Sequence, residues 1–172
     1  MKVISGCQTG ADEAGLRAAK ALGIPTGGTM PKGFKTQTGP RPDLAELYWL
    51  EESKSEKYPP RTRKNVKDSD VTIIFGDEHS PGCTLTKKYC VELGKVSFTI
   101  PADHRDEEMT DLVKSLLLQF FMEHNPKVIN IAGNREESNP GIGDYTYEVL
   151  MYSLDMYNKY MQARLDGLFE KD

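Results

Sequence analysis

The stretch ISGCQTGADEAGL, residues 4–16, contains a short apolar strand, a loop bracketed by two glycines and the start of a helix. Val3 and Ile4 predict the strand. Residues 12–22 predict a helix that ends before Gly23, because their apolar side chains recur on one face. Glycine lets a backbone approach a ligand closely, and a helix N-terminus offers free N–H groups to an anion. The loop therefore predicts a phosphate cradle; a turn followed by an ordinary helix cap is the alternative.

Apolar strand segments alternate with helical patterns along the rest of the chain. The predicted extended segments are 24–28, 71–75, 96–100 and 128–131, and the predicted helices are 84–93, 106–124 and 144–166. Such alternation is typical of a parallel sheet covered by helices on both faces. We predict a doubly wound, three-layer α/β fold of the Rossmann-like type, with residues 1–172 as a single domain. Residues 29–60 hold five of the ten prolines and are predicted to be irregular; a loop of that length is usually functional or disordered.

Length and composition limit the classes of protein that this chain can represent. With 172 residues, 38% hydrophobic and 28% charged, it is predicted to be a soluble globular protein. A formal net charge of −4 argues against a general nucleic-acid binder. The sequence has three cysteines without a CxxC spacing, no secretory signal and no membrane-spanning run. These features predict a cytoplasmic protein with no membrane partner.

Four polar, glycine-rich loops follow the predicted strands, at residues 6–12, 27–33, 76–84 and 133–141. In a doubly wound sheet ligands bind beyond the carboxyl ends of the strands, so these loops are expected to form a phosphate or oxyanion site at one edge. Turn formation alone would explain any single loop. The chain has neither GxGxxG nor GxxxxGK[ST], which argues against an ordinary NAD dehydrogenase and a P-loop NTPase.

Four motifs together resemble a known family. They are GCQTGADEAGL at 6–16, the IPTGG and PKG segments within 24–33, the spaced residues from Tyr58 to Asp70, and IAGNRE with SNPGI within 131–142. They resemble the molybdenum carrier family over about residues 3 to 150. Its superfamily includes the lysine decarboxylase-like phosphoribohydrolases and a DNA-processing protein. The resemblance implies a Rossmann-type fold, self-association and binding of a phosphorylated ligand, with molybdenum cofactor, a pterin carrying one terminal phosphate, as the suggested ligand.

The sequence departs from this family and its relatives at two loops. The family has glycine where this chain has Cys7. The phosphoribohydrolases carry a PGGxGTxxE loop with a catalytic glutamate, and that position falls here on Lys87, which cannot act as a carboxylate. We therefore expect a binding or carrier protein and assign no catalytic residue. The alternative is a nucleotide- or nucleoside-phosphate-processing enzyme of the phosphoribohydrolase type, with Glu136, Glu78 or Asp12 as acid or base.

Candidate binding residues come from the glycine-rich loops and from the 58–70 pattern. Arg61 and Asn65 share one face at helical spacing, and Lys32 and Arg135 supply cations suited to phosphate, with a solvated surface position as the alternative. Asp12 could cap the first helix or hold a ligand hydroxyl. The complete predicted set of ligand- and phosphate-binding residues is Gly6, Gln8, Thr9, Gly10, Asp12, Lys32, Arg61, Asn65, Gly82, Thr84, Gly133, Arg135, Ser138 and Gly141.

Two cysteines on the glycine-rich loops leave a further possibility open. Cys7 and Cys83 either fill glycine-like positions or approach each other to bind a soft metal, and we assign no metal site.

In the 144–166 helix one apolar stripe is expected to face the core, and Tyr152, Met156 and Tyr160 form a second stripe. Because tyrosine and methionine are enriched at interfaces, this helix predicts a homo-oligomer, either a dimer or a tetramer. The 106–124 helix is predicted to bury Met109, Leu112, Val113, Leu116, Leu117, Phe120 and Phe121.

Overall fold

The structure is a computed structural model that describes residues 1–101 and 106–167. In these ranges the chain alternates strands and helices, with a 3-10 turn at Lys32–Phe34. The elements in chain order are β1 (Lys2–Ser5), α1 (Ala11–Ala21), β2 (Thr26–Gly27), β3 (Thr29–Met30), β4 (Lys35–Thr36), β5 (Gly39–Pro40), α2 (Pro42–Tyr48), β6 (Glu51–Glu52), α3 (Tyr58–Lys67), β7 (Val71–Phe75), α4 (Pro81–Glu92), β8 (Val96–Ile100), α5 (Glu107–His124), β9 (Val128–Gly133) and α6 (Ile142–Leu165).

The central sheet has five parallel strands in the spatial order β2-β1-β9-β7-β8. All five residues of β7 are buried, as expected for an apolar, β-branched strand covered on both faces. The chain moves from β1 to β2 in one direction and from β7 to β8 in the other. Right-handed crossovers therefore place α1 and α4 on opposite faces of the sheet. The fold is the predicted three-layer, Rossmann-like α/β fold.

The strand order is that of a circularly permuted Rossmann sheet. When β9 and α6 are counted first, the spatial order of the five strands becomes 3-2-1-4-5, which matches the first five strands of the Rossmann arrangement. The chain direction across the sheet then reverses between β9 and β7. Ligands of doubly wound sheets bind at such a reversal, beyond the carboxyl ends of the strands.

The segment predicted to be irregular is more ordered than expected. It contains α2 and two small sheets, one pairing β3 with β6 and the other pairing β4 with β5. Pro42 begins α2, because a proline in the first helical turn removes no hydrogen bond that the helix needs. Leu44 and Tyr48, four residues apart, bury a common face in a second apolar cluster with Cys7, Leu16, Met30 and Leu50.

Helix α5 exposes more apolar surface than the sequence predicted. In α5, Val113, Leu117, Phe120 and Phe121 are buried, but Met109, Leu112 and Leu116 are exposed because the buried face of the helix is narrower than its apolar face. In α6, Leu150, Leu154 and Tyr157 are buried, and Tyr152 and Met156 of the predicted second stripe are exposed. Tyr160, the third residue of that stripe, is half-buried and packs against Tyr157. None of the described helices has the length and apolar character required to span a membrane.

Candidate ligand-binding site

A cavity of about 420 Å³ lies at the reversal of strand order. Three parts of the chain enclose it: the loop from β1 to α1, the end of β9 with the loop that follows, and the N-terminus of α4. The N-terminal half of α3 closes the fourth side. The lining residues are Gly6, Gln8, Asp12, Tyr58, Pro59, Arg61, Thr62, Asn65, Ser80, Pro81, Gly82, Leu85, Thr86, Asn130, Ile131, Ala132, Gly133, Asn134, Arg135 and Ser138.

A buried ion pair crosses this cavity from α3 to α1. Arg61 Nη1 lies 3.2 Å from Asp12 Oδ2, and the side chains of the two residues are 12% and 7% exposed. The guanidinium passes directly over Gly6, where a Cβ atom would lie 1.4 Å from Nη1. Glycine at position 6 therefore gives the arginine its path to the carboxylate.

Burial raises the pKa of Asp12 and is the largest influence on that pKa. Arg61 and a backbone N–H act in the opposite direction, because both favour the ionised carboxylate. The N–H belongs to Gln8, 3.4 Å from Oδ2. Arg135 also contributes a weaker attraction to Asp12. The cavity thus holds a carboxylate whose charge depends on its cationic neighbours.

Tyr58 is flanked by the two arginines of the cavity. The guanidinium carbon of Arg135 lies 4.8 Å from the centre of its ring, and that of Arg61 lies 5.7 Å away. Contacts of this kind hold planar cations over an aromatic face. They bring two guanidinium groups from distant parts of the sequence to the same wall, where planar donor groups suit a phosphate.

Two buried polar atoms of the cavity wall have no hydrogen-bond partner among the described residues: Gln8 Oε1, an acceptor, and Arg61 Nε, a donor. The amide nitrogen of Gln8 is engaged, because it donates to the carbonyls of Gly6 and Lys35. Leaving a buried polar group unpaired costs about 1–3 kcal/mol. A ligand that accepts from Arg61 and donates to Gln8 would remove both penalties.

Asn134 connects the three strand ends that surround the cavity. Its side-chain carbonyl accepts from the backbone N–H of Asp77 at 2.7 Å, and its amide nitrogen donates to Ser80 Oγ at 2.9 Å. Its backbone carbonyl accepts from Ala11 N at 3.1 Å. This one residue therefore fixes the loop after β7 and the starts of α4 and α1 relative to β9.

The N-terminus of α6 is occupied by a side chain from its own loop. Glu136 Oε1 accepts from Gly141 N at 2.5 Å, and Oε2 accepts from Gly143 N at 3.0 Å. The carboxylate thus satisfies the backbone N–H of Gly141, which was predicted to bind a ligand, and that of Gly143. Gly141 does not line the cavity, and Glu136 has a structural partner that accounts for its position.

Nine of the fourteen predicted binding residues line the cavity; the others lie outside its lining. Lys32 is exposed on the 3-10 turn, and its backbone N–H donates to Ser55. Thr84 is exposed, and its hydroxyl donates to the carbonyl of Glu78. Gly10 packs against the loop after β9, where an added Cβ would lie 2.6 Å from the Asn134 carbonyl. The residues outside the lining are Thr9, Gly10, Lys32, Thr84 and Gly141.

Asn65 lines the cavity but has its side-chain amide engaged elsewhere. Its Oδ1 accepts from Thr29 N at 2.8 Å, and its Nδ2 donates to Thr29 O at 3.1 Å. The side chain thereby acts as a backbone substitute that joins α3 to β3. A positioning role accounts for both of its polar atoms.

The residues that sequence reasoning missed come mainly from the wall formed by α3, α4 and β9. Tyr58 stood in the pattern that carried the family resemblance, and Asn134 stood between two predicted site residues. Both residues therefore lay in or beside a motif, but the sequence did not show which groups their side chains would contact. Leu85, Thr86 and Asn130 lie inside ordinary helix and strand patterns, which gave no reason to select them.

The three cysteines are buried and free. Burial raises the pKa of each thiol, so none is poised as a thiolate. Cys7 has a φ of 50°, in the left-handed region that favours glycine, and packs in the second apolar cluster. Within the described ranges no group of three or more His, Cys, Asp or Glu side chains could hold a metal ion.

Lys87, the residue at the glutamate position of the PGGxGTxxE loop in the sequence comparison above, lies on α4. Its ammonium pairs with the carboxylate of Glu78, and this hydrogen bond lowers the pKa of Glu78. Both residues lie outside the cavity lining. The pair is partly exposed and joins the loop after β7 to the first turns of α4.

Comparisons with known proteins agree with the permuted sheet. The family described as "Circularly permutated YpsA SLOG family" matches residues 3–154. The chain belongs to this family. The permutation in the family's description corresponds to the strand order found here, in which the first Rossmann unit, β9 and α6, comes last in the chain.

A solved structure of similar sequence supports the same assignment. It is the crystal structure from Syntrophus aciditrophicus SB of a protein named "Putative molybdenum carrier protein". The two chains are 35% identical, and the TM-score is 0.80 over 89% of this chain and 94% of the other. No curated protein matches this SLOG-family chain.

Proposed function

We propose that this protein binds a phosphorylated small ligand in the cavity at the reversal of strand order and acts as its carrier. The observation that carries this proposal is the convergence of two guanidinium groups, Arg61 and Arg135, on one cavity wall. Two buried polar atoms of that wall have no partner in the part of the chain that the structure describes. Guanidinium groups form strong, charge-assisted hydrogen bonds to phosphate. The N-terminus of α4, at Pro81 and Gly82, lines the same cavity and favours negative charge.

The size of the cavity limits the ligand. A volume of about 420 Å³ lies near the small end of the roughly 300–1,000 Å³ range of small-molecule pockets. This volume suits one fused ring system with one phosphate better than a dinucleotide. Apolar side chains of Pro59, Pro81 and Leu85 offer a surface for the ring, and Gln8 offers an acceptor for one of its donors.

Molybdenum cofactor, a pterin with one terminal phosphate, is the candidate cargo. The name of the Syntrophus aciditrophicus protein and the donor set of the cavity both support it. Arg61 and Arg135 would hold the phosphate, and Gln8 would accept from a ring or amino N–H. The described part of the chain has no cluster of metal ligands, so recognition would rest on the phosphate and the pterin rather than on molybdenum.

A second candidate function is that of a nucleotide- or nucleoside-phosphate-processing enzyme. Asp12 favours it, because a cavity carboxylate with a raised pKa is a common acid or base in enzymes. Of the other two carboxylates considered, Glu136 bonds to the start of α6 and Glu78 pairs with Lys87 outside the cavity.

We also propose that the protein self-associates through the exposed stripe of α6. Tyr152 and Met156 are 44% and 38% exposed on adjacent turns. Their side chains are of the types enriched at protein interfaces. A second copy would bury this stripe, and neither of its two exposed residues lines the cavity.

A ligand panel tests the carrier proposal. Thermal unfolding would be measured under anaerobic conditions with molybdenum cofactor, AMP, ADP-ribose, NAD and molybdate, because a ligand that binds only the native state raises the melting temperature. We expect the cofactor to raise the melting temperature more than molybdate does, because molybdate offers an oxyanion for the arginines but no ring for the apolar wall. Stabilisation by AMP with release of free base over many turnovers would instead support the enzyme, and no shift with any phosphorylated compound would contradict both functions.

A further inference from the structure

The cavity reaches from the strand ends into the space between the sheet and the helices α3 and α4. Asn130 lines it from inside β9, three residues before Gly133 at the end of that strand. A parallel strand rises about 3.3 Å per residue, so Asn130 lies about 10 Å from the strand end. A ligand with its phosphate at Arg61 and Arg135 would therefore extend its remaining atoms toward Asn130.

Asn130 is an unusual residue for its position in the sheet. Strands covered by helices on both faces are normally almost continuously apolar, and the two neighbours in β9, Ile129 and Ile131, are fully buried. Asn130 itself is only 3% exposed. Burial of an amide group is unfavourable unless it forms hydrogen bonds, so this side chain needs partners at both of its ends.

The Asn130 side chain lies on the face of the sheet opposite α1. Ile131, the next residue, packs against Gly15 of α1, and successive side chains of a strand point to opposite faces. On that opposite face Asn130 Nδ2 donates to Thr72 Oγ1 of the neighbouring strand β7 at 3.3 Å. Within the described residues the other end, Oδ1, accepts no hydrogen bond and is not fully enclosed, so it opens on to the cavity.

The other polar side chains of this part of the lining have partners inside the protein. The hydroxyl groups of Thr62 and Thr86 donate to carbonyl groups of their own helices, and both ends of the Asn65 amide bond to the backbone of Thr29. The Oδ1 atom of Asn130 is thus a carboxamide acceptor that a ligand can reach beyond the arginines. A group that donates an N–H to this atom would pair it.

We propose that Asn130 is a specificity-determining residue that selects ligands by the ring attached to the phosphate. Its Oδ1 accepts an N–H of a nitrogen heterocycle, and Thr72 holds the amide in the orientation that presents this oxygen. The inference rests on the proposed function, because it assumes that Arg61 and Arg135 bind the phosphate. The ligand class is a monophosphate whose ring carries an N–H donor, as pterin and guanine rings do. A site built to bond an N–H rejects an analogue without it, because the buried acceptor is left unpaired.

The test compares three monophosphates by isothermal titration calorimetry of the full chain: neopterin monophosphate, GMP and purine riboside 5′-monophosphate. The last has the ribose and phosphate of GMP but no N–H on its ring. We expect at least one of the first two to bind roughly tenfold or more tightly than purine riboside 5′-monophosphate. Asn130→Leu keeps a similar side-chain shape and removes the acceptor, so it should reduce this ratio to about threefold or less.

The control variant is Thr146→Val, which removes a fully buried polar group of α6 outside the cavity lining and should keep the whole ratio. Circular dichroism checks that each variant is folded. Asn130→Ser takes the place of Asn130→Leu if that variant does not fold, because its hydroxyl can still pair with Thr72 while the shorter side chain withdraws the acceptor from the ligand.

The outcomes separate this inference from the proposed function. If purine riboside 5′-monophosphate binds as tightly as the other two compounds, or if the Asn130 variant keeps the ratio of the unchanged protein, the role of Asn130 is wrong while the phosphate site stands. Binding of inorganic phosphate without binding of any of the three compounds would have the same meaning. If neither inorganic phosphate nor any monophosphate binds, the proposed function fails and the inference fails with it.

Discussion

The buried pair of Arg61 and Asp12 makes the cavity sensitive to single substitutions. A buried ion pair adds little net stability, because desolvation of both charges offsets their attraction. Removal of one partner is different, since it leaves an uncompensated charge in a site of low dielectric constant. The pair therefore serves to hold the guanidinium in place above Gly6, with its Nε still free to donate to a ligand.

Replacement of Arg61 is expected to destabilise the protein in a pH-dependent manner. Arg61→Leu leaves Asp12 unpaired, and the free energy of unfolding should fall by about 3–5 kcal/mol near neutral pH. Arg61 lowers the pKa of Asp12, so its loss raises that pKa further above the value in the unfolded chain. A carboxyl group with a raised pKa in the folded state favours folding at low pH, and that contribution is lost as pH rises through the folded pKa.

Urea unfolding at about pH 5 and about pH 8 measures this effect. The stability difference between the unchanged protein and Arg61→Leu should be smaller at the lower pH. The double variant Asp12→Asn with Arg61→Leu is the control, because it has no carboxyl group to titrate and should lose the pH dependence. An equal loss of stability at both pH values in Arg61→Leu would show that Asp12 is not the titrating group.

At the scale of elements, local sequence patterns predicted the main strands and helices. The short strands form through contacts between distant residues, which local patterns do not show. The strand β7 and the helix α5 could be predicted because each has its own apolar pattern. The short strands from Thr29 to Glu52 could not, because pairs of two residues have no periodicity and depend on their partners. The two hydrogen bonds between the Asn65 side chain and the backbone of Thr29 could not be predicted either, because they join residues 36 positions apart in the sequence.

The position of the cavity in the fold could be predicted from the sequence, but only some of its lining residues could. Glycine-rich loops after parallel strands predicted a site at the edge of the sheet where the cavity lies, and Gly6, Asp12 and Arg135 line that cavity. Gly141 was selected for a free N–H group, which Glu136 accepts instead. No single-sequence signal gives the direction of a glutamate on a loop, so the occupied helix end required the structure.

The whole molecule combines a cavity at the carboxyl ends of the strands with an exposed apolar stripe on α6. If the stripe is an interface, the mass in solution should be a multiple of 19.3 kDa, and Met156→Glu should return it to 19.3 kDa by burying a charge at the contact. Light scattering coupled to size exclusion measures this. Leu112→Glu, at an exposed apolar position of α5, is the control and should leave the mass unchanged. A monomeric mass for the unchanged protein would refute self-association.

The central claim is that the two arginines of the cavity bind a phosphate group. Titration calorimetry with inorganic phosphate should compare the unchanged protein with Arg135→Met and with Arg63→Met. Arg63 is an exposed arginine of α3, two positions from Arg61 and outside the cavity lining, so its loss matches the change in net charge. Hydrogen bonds to charged groups contribute about 1.5–3 kcal/mol, so Arg135→Met should weaken phosphate binding by roughly tenfold or more while Arg63→Met leaves it nearly unchanged. Equal affinity in Arg135→Met and the unchanged protein, or equal losses in the two variants, would contradict the assignment of the cavity as the phosphate site.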